Sequence, residues 1–256
     1  MNKLLKLTAA AGVALALSTS ASAAMVTQWS YTLTSKWSAA KNTDNANTSG
    51  VGTQLLSWGT PATTAGISSL SLTDPAAGTV ATNTGIGNGV TVTHNNFPIF
   101  GATLASATLQ AQLVLTPTLP VPGPTFPPSL QNIDIKFVET PNVETCAVAS
   151  STPCRDIFVL DNPSQASGAQ QFTYDGITYA ITVFPLSLGS FQTLPPAACA
   201  AAGKAAGCVG FTTEENQATV VPFGFRISTV SEPGVLALVG FGLAGLGFAA
   251  RRRKAA

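Results

Sequence analysis

Apolar and polar residues alternate with a period of two along much of the chain. Ala107, Leu109, Ala111, Leu113 and Leu115 fall on one side of a run whose other side is Ser106, Thr108, Gln110 and Gln112. Ile133, Ile135 and Phe137 alternate with Asn132, Asp134 and Lys136, and Phe223, Phe225 and Ile227 with Gly224, Arg226 and Ser228. Tyr179, Ile181 and Val183 form a further face of this kind. Such runs are half-buried antiparallel strands with one wet face. Gln28 to Leu33, with Trp29 and Tyr31 on one side, predicts the first strand. Asn83-Thr84-Gly85, Gly87-Asn88-Gly89, Asp161-Asn162-Pro163 and Asp175-Gly176 read as turns between strands. The last lies between Phe172-Thr173-Tyr174 and Ile177-Thr178-Tyr179 and predicts a two-residue hairpin. No stretch from residue 24 to 230 keeps a helical period over three turns, and Ala197 to Ala206 comes nearest. Many strands with Gly- and Pro-rich turns predict an all-β fold, a single jelly-roll-like β-sandwich. Six prolines between Pro117 and Pro128 predict a long loop between two strands of that sandwich, in preference to a polyproline linker between domains.

The two ends break the alternation. Lys3 and Lys6 precede an apolar stretch from Leu7 to Leu17, and Ala21-Ser22-Ala23 has the small residues of a cleavage site. Residues 1–23 therefore read as a signal peptide cut after Ala23, with Ala24 as the alternative. At the other end Ser231-Glu232-Pro233 precedes an apolar run, Val235 to Ala250, and then Arg251, Arg252, Arg253 and Lys254. As a helix the run spans roughly 24 Å, short of a hydrocarbon core of about 30 Å. The basic cluster reads as a stop-transfer signal that stays cytoplasmic and leaves Pro233 on the outer side. A short, glycine-rich span predicts transient anchoring in the inner membrane.

Between the signals, residues 24–230 carry six basic and ten acidic side chains, a net of −4 against the formal +1 of the whole chain. No basic patch is present to neutralise phosphates, which excludes nucleic acid as a partner. Ser, Thr, Asn and Gln supply the polarity, a composition suited to an exterior, carbohydrate-rich setting. Cys146, Cys154, Cys199 and Cys208 form two close pairs. In an exported chain they are expected to be oxidised, and of the possible pairings Cys146–Cys154 and Cys199–Cys208 each staple a local loop. A four-thiolate zinc site is the runner-up, and it lacks the usual C-x2-C spacing.

Candidate chemistry in the body is sparse. His94 is the sole histidine, so any Ser-His-Asp or Cys-His catalysis has to use it as base. The competing reading is a histidine that caps a strand and bonds a loop backbone. Ser38-Ala39-Ala40-Lys41 matches S-x-x-K by chance, without S-D-N or K-T-G partners. Asn42 to Ser49 is rich in side-chain oxygen but has one carboxylate, too few for a calcium loop. Asp156 and Asp161 stand at opposite ends of a strand and make no acid pair, and Glu214-Glu215 reads as solvated. Trp29, Trp37 and Trp58 suit core packing better than a sugar platform. No catalytic residue, metal ligand or cofactor is assigned.

Two resemblances add to this. Ser231-Glu232-Pro233, the Gly/Leu/Ala run and the Arg cluster resemble a PEP-CTERM sorting domain, the Gram-negative signal read by exosortase, with Ser231 where proline is usual. Thr93-His94-Asn95-Asn96 resembles the signature of the THxN family of PEP-CTERM proteins, carried by Thr93, His94 and Asn96. Trp58-Gly59-Thr60-Pro61 before Ser68-Ser69-Leu70, Glu139-Thr140-Pro141-Asn142 and Pro153-Cys154-Arg155-Asp156 are similar to secreted domains of that kind. The resemblance supplies no catalytic residues. It implies export by the Sec translocon, processing by exosortase near Glu232-Pro233, and release to the outer surface or extracellular matrix. The expected role is structural and associated with biofilm or exopolysaccharide, with extracellular polysaccharide as a further partner. A carbohydrate-binding module is the alternative, and a hydrolase using His94 ranks last.

Overall fold

The computed structural model describes residues 24–44, 48–127, 129–142, 146, 148, 154–163, 169–187, 189 and 191–230. The signal peptide, Ser231 to Pro233, the apolar run and the Arg251–Lys254 cluster lie outside the described residues. Among the described residues no helix is long and apolar enough to cross a membrane.

The fold is nearly all β. One sheet has seven strands in the order β13 (Gln192–Thr193), β14 (Val209–Thr213), β10 (Asp156–Leu160), β9 (Ser129–Val138), β8 (Leu104–Leu119), β1 (Gln28–Asn42) and β5 (Gly78–Ala81). The other has six: β11 (Gln170–Tyr174), β12 (Ile177–Pro185), β15 (Ala218–Thr229), β6 (Gly87–Asn95), β4 (Ser69–Thr73) and β2 (Leu55–Ser57). A two-stranded ribbon, β3 (Thr60–Pro61) with β7 (Ile99–Phe100), completes the strands, and every pairing is antiparallel. The expected hairpin joins β11 to β12, with Asp175 at φ 47° and Gly176 at φ 75°, the pair of positive angles a tight two-residue turn requires.

The alternating faces do what their period dictates. Trp37, Leu109, Ile135 and Phe158 of the seven-stranded sheet meet Leu56, Leu70, Val92 and Val221 of the six-stranded one in a single apolar cluster. A second cluster joins Trp29, Tyr31 and Leu115 to Tyr179, Phe225 and Ile227. The first strand continues past Leu33 to Asn42, because a bulge between Trp37 and Ala39 resets its phase. Trp37 and Ala40 therefore both point inward, three residues apart, where strict alternation would turn Ala40 to solvent. Ser38 to Lys41 thus lies on a strand, so the S-x-x-K match has none of its helical context.

Three turn and loop assignments change. Gly87-Asn88-Gly89 opens β6 instead of forming a turn. Gly87 lies under the Phe225 ring and Gly89 against the Phe223 backbone, so these glycines make room for β15 and do not reverse the chain. Pro117 belongs to β8, which places the proline-rich connection within one sheet, between neighbouring strands β8 and β9. The helical candidate shortens to α1 (Pro196–Ala201).

Strand β10 is buried on both faces. Phe158 and Leu160 enter the main cluster, while Ile157 and Val159 pack against Leu194, Ala198 and Cys199. That second layer is stapled by Cys199–Cys208, and Cys146–Cys154 forms the other disulfide, both as expected. No thiol is left free, which removes the zinc alternative. Replacing Cys199 and Cys208 together by serine is expected to lower stability by about 2–3 kcal/mol in urea unfolding, since the bridge closes a short loop.

Candidate functional site

Thr93 points outward on β6 and His94 inward, continuing the buried row of Val90 and Val92. The imidazole is fully enclosed. It stacks on Trp58 at 5.9 Å with an interplanar angle of 11°, meets Phe137 edge-on at 4.9 Å, and has Phe211 at 6.5 Å. Neither ring nitrogen has a hydrogen-bond partner among the described residues. Burial lowers its pKa to about 3, so the ring is neutral. The expected strand-capping bond to a loop backbone is therefore not made, because the ring is used as a packing surface in mid-sheet. No nucleophile is hydrogen-bonded to it.

Beyond His94 the inner face turns polar. Asn96 is fully buried and donates from Nδ2 to the Thr213 carbonyl at 3.2 Å. Thr213 stands directly opposite Asp156 across β14 and β10, so their side chains share a face. Asp156 Oδ1 accepts from the Thr140 backbone N–H at 2.9 Å. Glu139, one residue past β9, accepts from Trp58 Nε1 at 3.2 Å. Glu215 accepts from Asn142 Nδ2 at 2.7 Å. The charge of Glu215 lies close enough to raise both Glu139 and Asp156, and that of Glu139 raises Asp156. Arg155 is turned outward to Glu214, and among the described residues no cation pairs with the three carboxyls.

Burial, reinforced by the charge of Glu139, pushes the Asp156 carboxyl up to about 9. Burial also raises Glu139 to about 7, against the opposing pull of the Trp58 N–H. Asp156 thus keeps its proton at neutral pH. Even so, Asp156 Oδ2, Glu215 Oε1, Asn96 Oδ1 and Thr213 Oγ1 are buried with no hydrogen-bond donor among the described residues. A buried polar atom left in that state costs about 1–3 kcal/mol. Such a concentration of unmet oxygens is unusual for a folded interior.

Some expectations hold here and one is corrected. Asp156 and Asp161 make no acid pair, as expected: Asp161 faces Lys204, while Asp156 lies beside Glu139 across β9 and β10. Glu214 is half exposed, as a solvated residue should be, whereas Glu215 is 6% exposed. Trp29, Trp37 and Trp58 are core residues. The fragments around Trp58, His94-Asn96, Glu139-Asn142 and Arg155-Asp156, distant along the chain, meet at one end of the two sheets. Among the described residues no three of His, Cys, Asp and Glu are placed so that they could hold a metal ion between them.

The last strand, β15, ends at Thr229, and the backbone N–H of Val230 still bonds the Thr178 carbonyl at 2.8 Å. Residues 229–254 match the PEP-CTERM protein-sorting motif. The PEP-CTERM motif thus begins at the last residue of the last described strand. It supports an exosortase-processed protein that is exported through a membrane-anchored sorting step to the cell surface. The match covers only the C-terminal part of the chain. Among curated proteins, none matches the chain.

Proposed function

We propose that this chain is a structural surface protein, a β-sandwich of jelly-roll-like type that exosortase releases near Glu232-Pro233 into the outer-surface or extracellular matrix, where it contributes to an exopolysaccharide-rich biofilm. It belongs, on this reading, with the THxN proteins and is not an enzyme. The carrying observation is the sorting motif that directly follows a two-disulfide, nearly all-β body. Comparison of strains with and without exosortase tests it. With the enzyme, the mature chain is expected to end near residue 232 and to be recovered outside the inner membrane. Without it, the chain is expected to keep Ala256 and stay in the membrane fraction. Identical masses and locations in the two strains would refute the proposal.

A carbohydrate-binding reading is favoured by one surface feature. A groove of about 290 Å³ beside β1 and β8 is lined by Thr34, Ser35, Lys36, Gln54, Gln110 and Gln112. Asp74 fixes its rim by accepting from Ser35 Oγ at 2.5 Å and Gln54 Nε2 at 2.6 Å. Planar amides and hydroxyls of this kind suit sugar hydroxyls. Retention of the protein on native exopolysaccharide, lost in Gln110→Ala/Gln112→Ala, is the outcome this reading expects.

A further inference from the structure

We propose that the buried oxygen cluster of Asp156, Glu215, Asn96 and Thr213 is a binding site for a divalent cation of the hard, oxygen-preferring class, with calcium as the ion. Asp156 and Glu215 are each held by a donor on one oxygen and present the other, and Glu139 is held beside them. Trp58 Nε1 holds Glu139 Oε2, the Thr140 N–H holds Asp156 Oδ1, and Asn142 Nδ2 holds Glu215 Oε2. The Asn96 amide is fixed through its Nδ2. Asp156 Oδ2, Glu215 Oε1, Asn96 Oδ1 and Thr213 Oγ1 are left without a donor, and all four residues are more than nine-tenths buried. Outer donors that orient inner oxygens are the usual support of a metal site.

The chemistry of the donors selects the ion. Carboxylate, amide and hydroxyl oxygens, with no thiolate available, suit calcium, which takes six to eight oxygens in flexible geometry. Neutral oxygens complement the two carboxyls, which is why no cage of three acidic or imidazole groups is needed. His94 is separated by its stacking on Trp58 and serves as the wall behind that indole. Among the described residues no lysine or arginine is paired with these carboxyls, and Arg155 is committed to Glu214. Glu139 is only half-buried, which gives the ion a way in.

The test uses the full chain, purified in detergent and stripped with chelator. Calcium is expected to bind with one-to-one stoichiometry in titration calorimetry. Saturating calcium is expected to raise the melting temperature by at least about 4 °C, and magnesium by less. Terbium, a calcium stand-in, is expected to luminesce on tryptophan excitation through Trp58, and calcium to displace it. Asn96→Ala and Asp156→Asn are each expected to weaken calcium binding at least about tenfold, while Asp74→Asn leaves it unchanged. Absence of calorimetric heat, melting shift and terbium signal in the wild type overturns the proposal, and so does undiminished binding in both variants. Should either variant fail to fold, the wild-type competition between terbium and calcium decides alone. These measurements involve no sorting step, so their failure leaves the exosortase reading standing.

Discussion

Replacing Trp29 by alanine is expected to destabilise the body by about 3–5 kcal/mol, much of the stability of a typical domain. The indole is completely buried at the centre of the second apolar cluster. Phe172, Tyr174 and Tyr179 meet it edge-on at 5.5, 5.6 and 5.2 Å. Its Nε1 donates to Thr82 Oγ1, and that hydroxyl donates onward to the Val26 carbonyl. Alanine removes the packing and the donor together, and the surrounding rings belong to two paired strands, β11 and β12, whose ladder keeps them from collapsing onto the vacancy. Urea unfolding should show a lower midpoint with an unchanged slope. A loss below about 1 kcal/mol would mean that the two sheets do not share this cluster.

The second large effect is a fall in stability with rising pH when divalent ions are removed by chelator. Glu139 and Asp156 both have folded pKa values raised above their unfolded values. Between about pH 4 and pH 9 the folded chain therefore binds more protons than the unfolded chain, and stability declines across that window. The groups facing the pair are Glu215, a neutral His94 behind Trp58, and the outward Arg155–Glu214 couple, none of which supplies compensating positive charge. The loss is expected to be on the order of 5 kcal/mol by pH 9. Asp156→Asn, which keeps the shape and removes the titrating proton, should flatten the profile. Melts at stepped pH in chelator, wild type against variant, provide the check. A wild-type curve level from pH 5 to 9 would contradict the buried carboxyl pair.

Much of the architecture was legible because period-two alternation reports directly on which face of a strand is wet. The rows through Leu109, Ile135, Phe225 and Ile181 became inward faces as expected, and both cysteine pairs closed within their own loops. The acid cluster was not legible. Glu139, Asp156 and Glu215 are separated along the chain, and only the antiparallel register of β9, β10 and β14 brings them together. Glu215 looked solvated beside Glu214, yet neighbours near a strand end project to opposite sides. Trp58 and Asn142 gave no sign in sequence that their N–H groups would hold carboxylates. His94 and Asn96 did carry a sequence signal, the two-residue spacing that puts both side chains on one face of a strand.

Strand β15 fixes an orientation. Its Thr229 end lies beside Tyr179, whose hydroxyl accepts the Val26 backbone N–H, so the start of the body and the sorting motif leave from the same pole. Its Ala218 end pairs with Asn95, next to the oxygen cluster, and twelve extended residues separate the two poles by roughly 35 Å. The oxygen cluster and the attachment point of the sorting motif therefore lie at opposite poles of the sandwich.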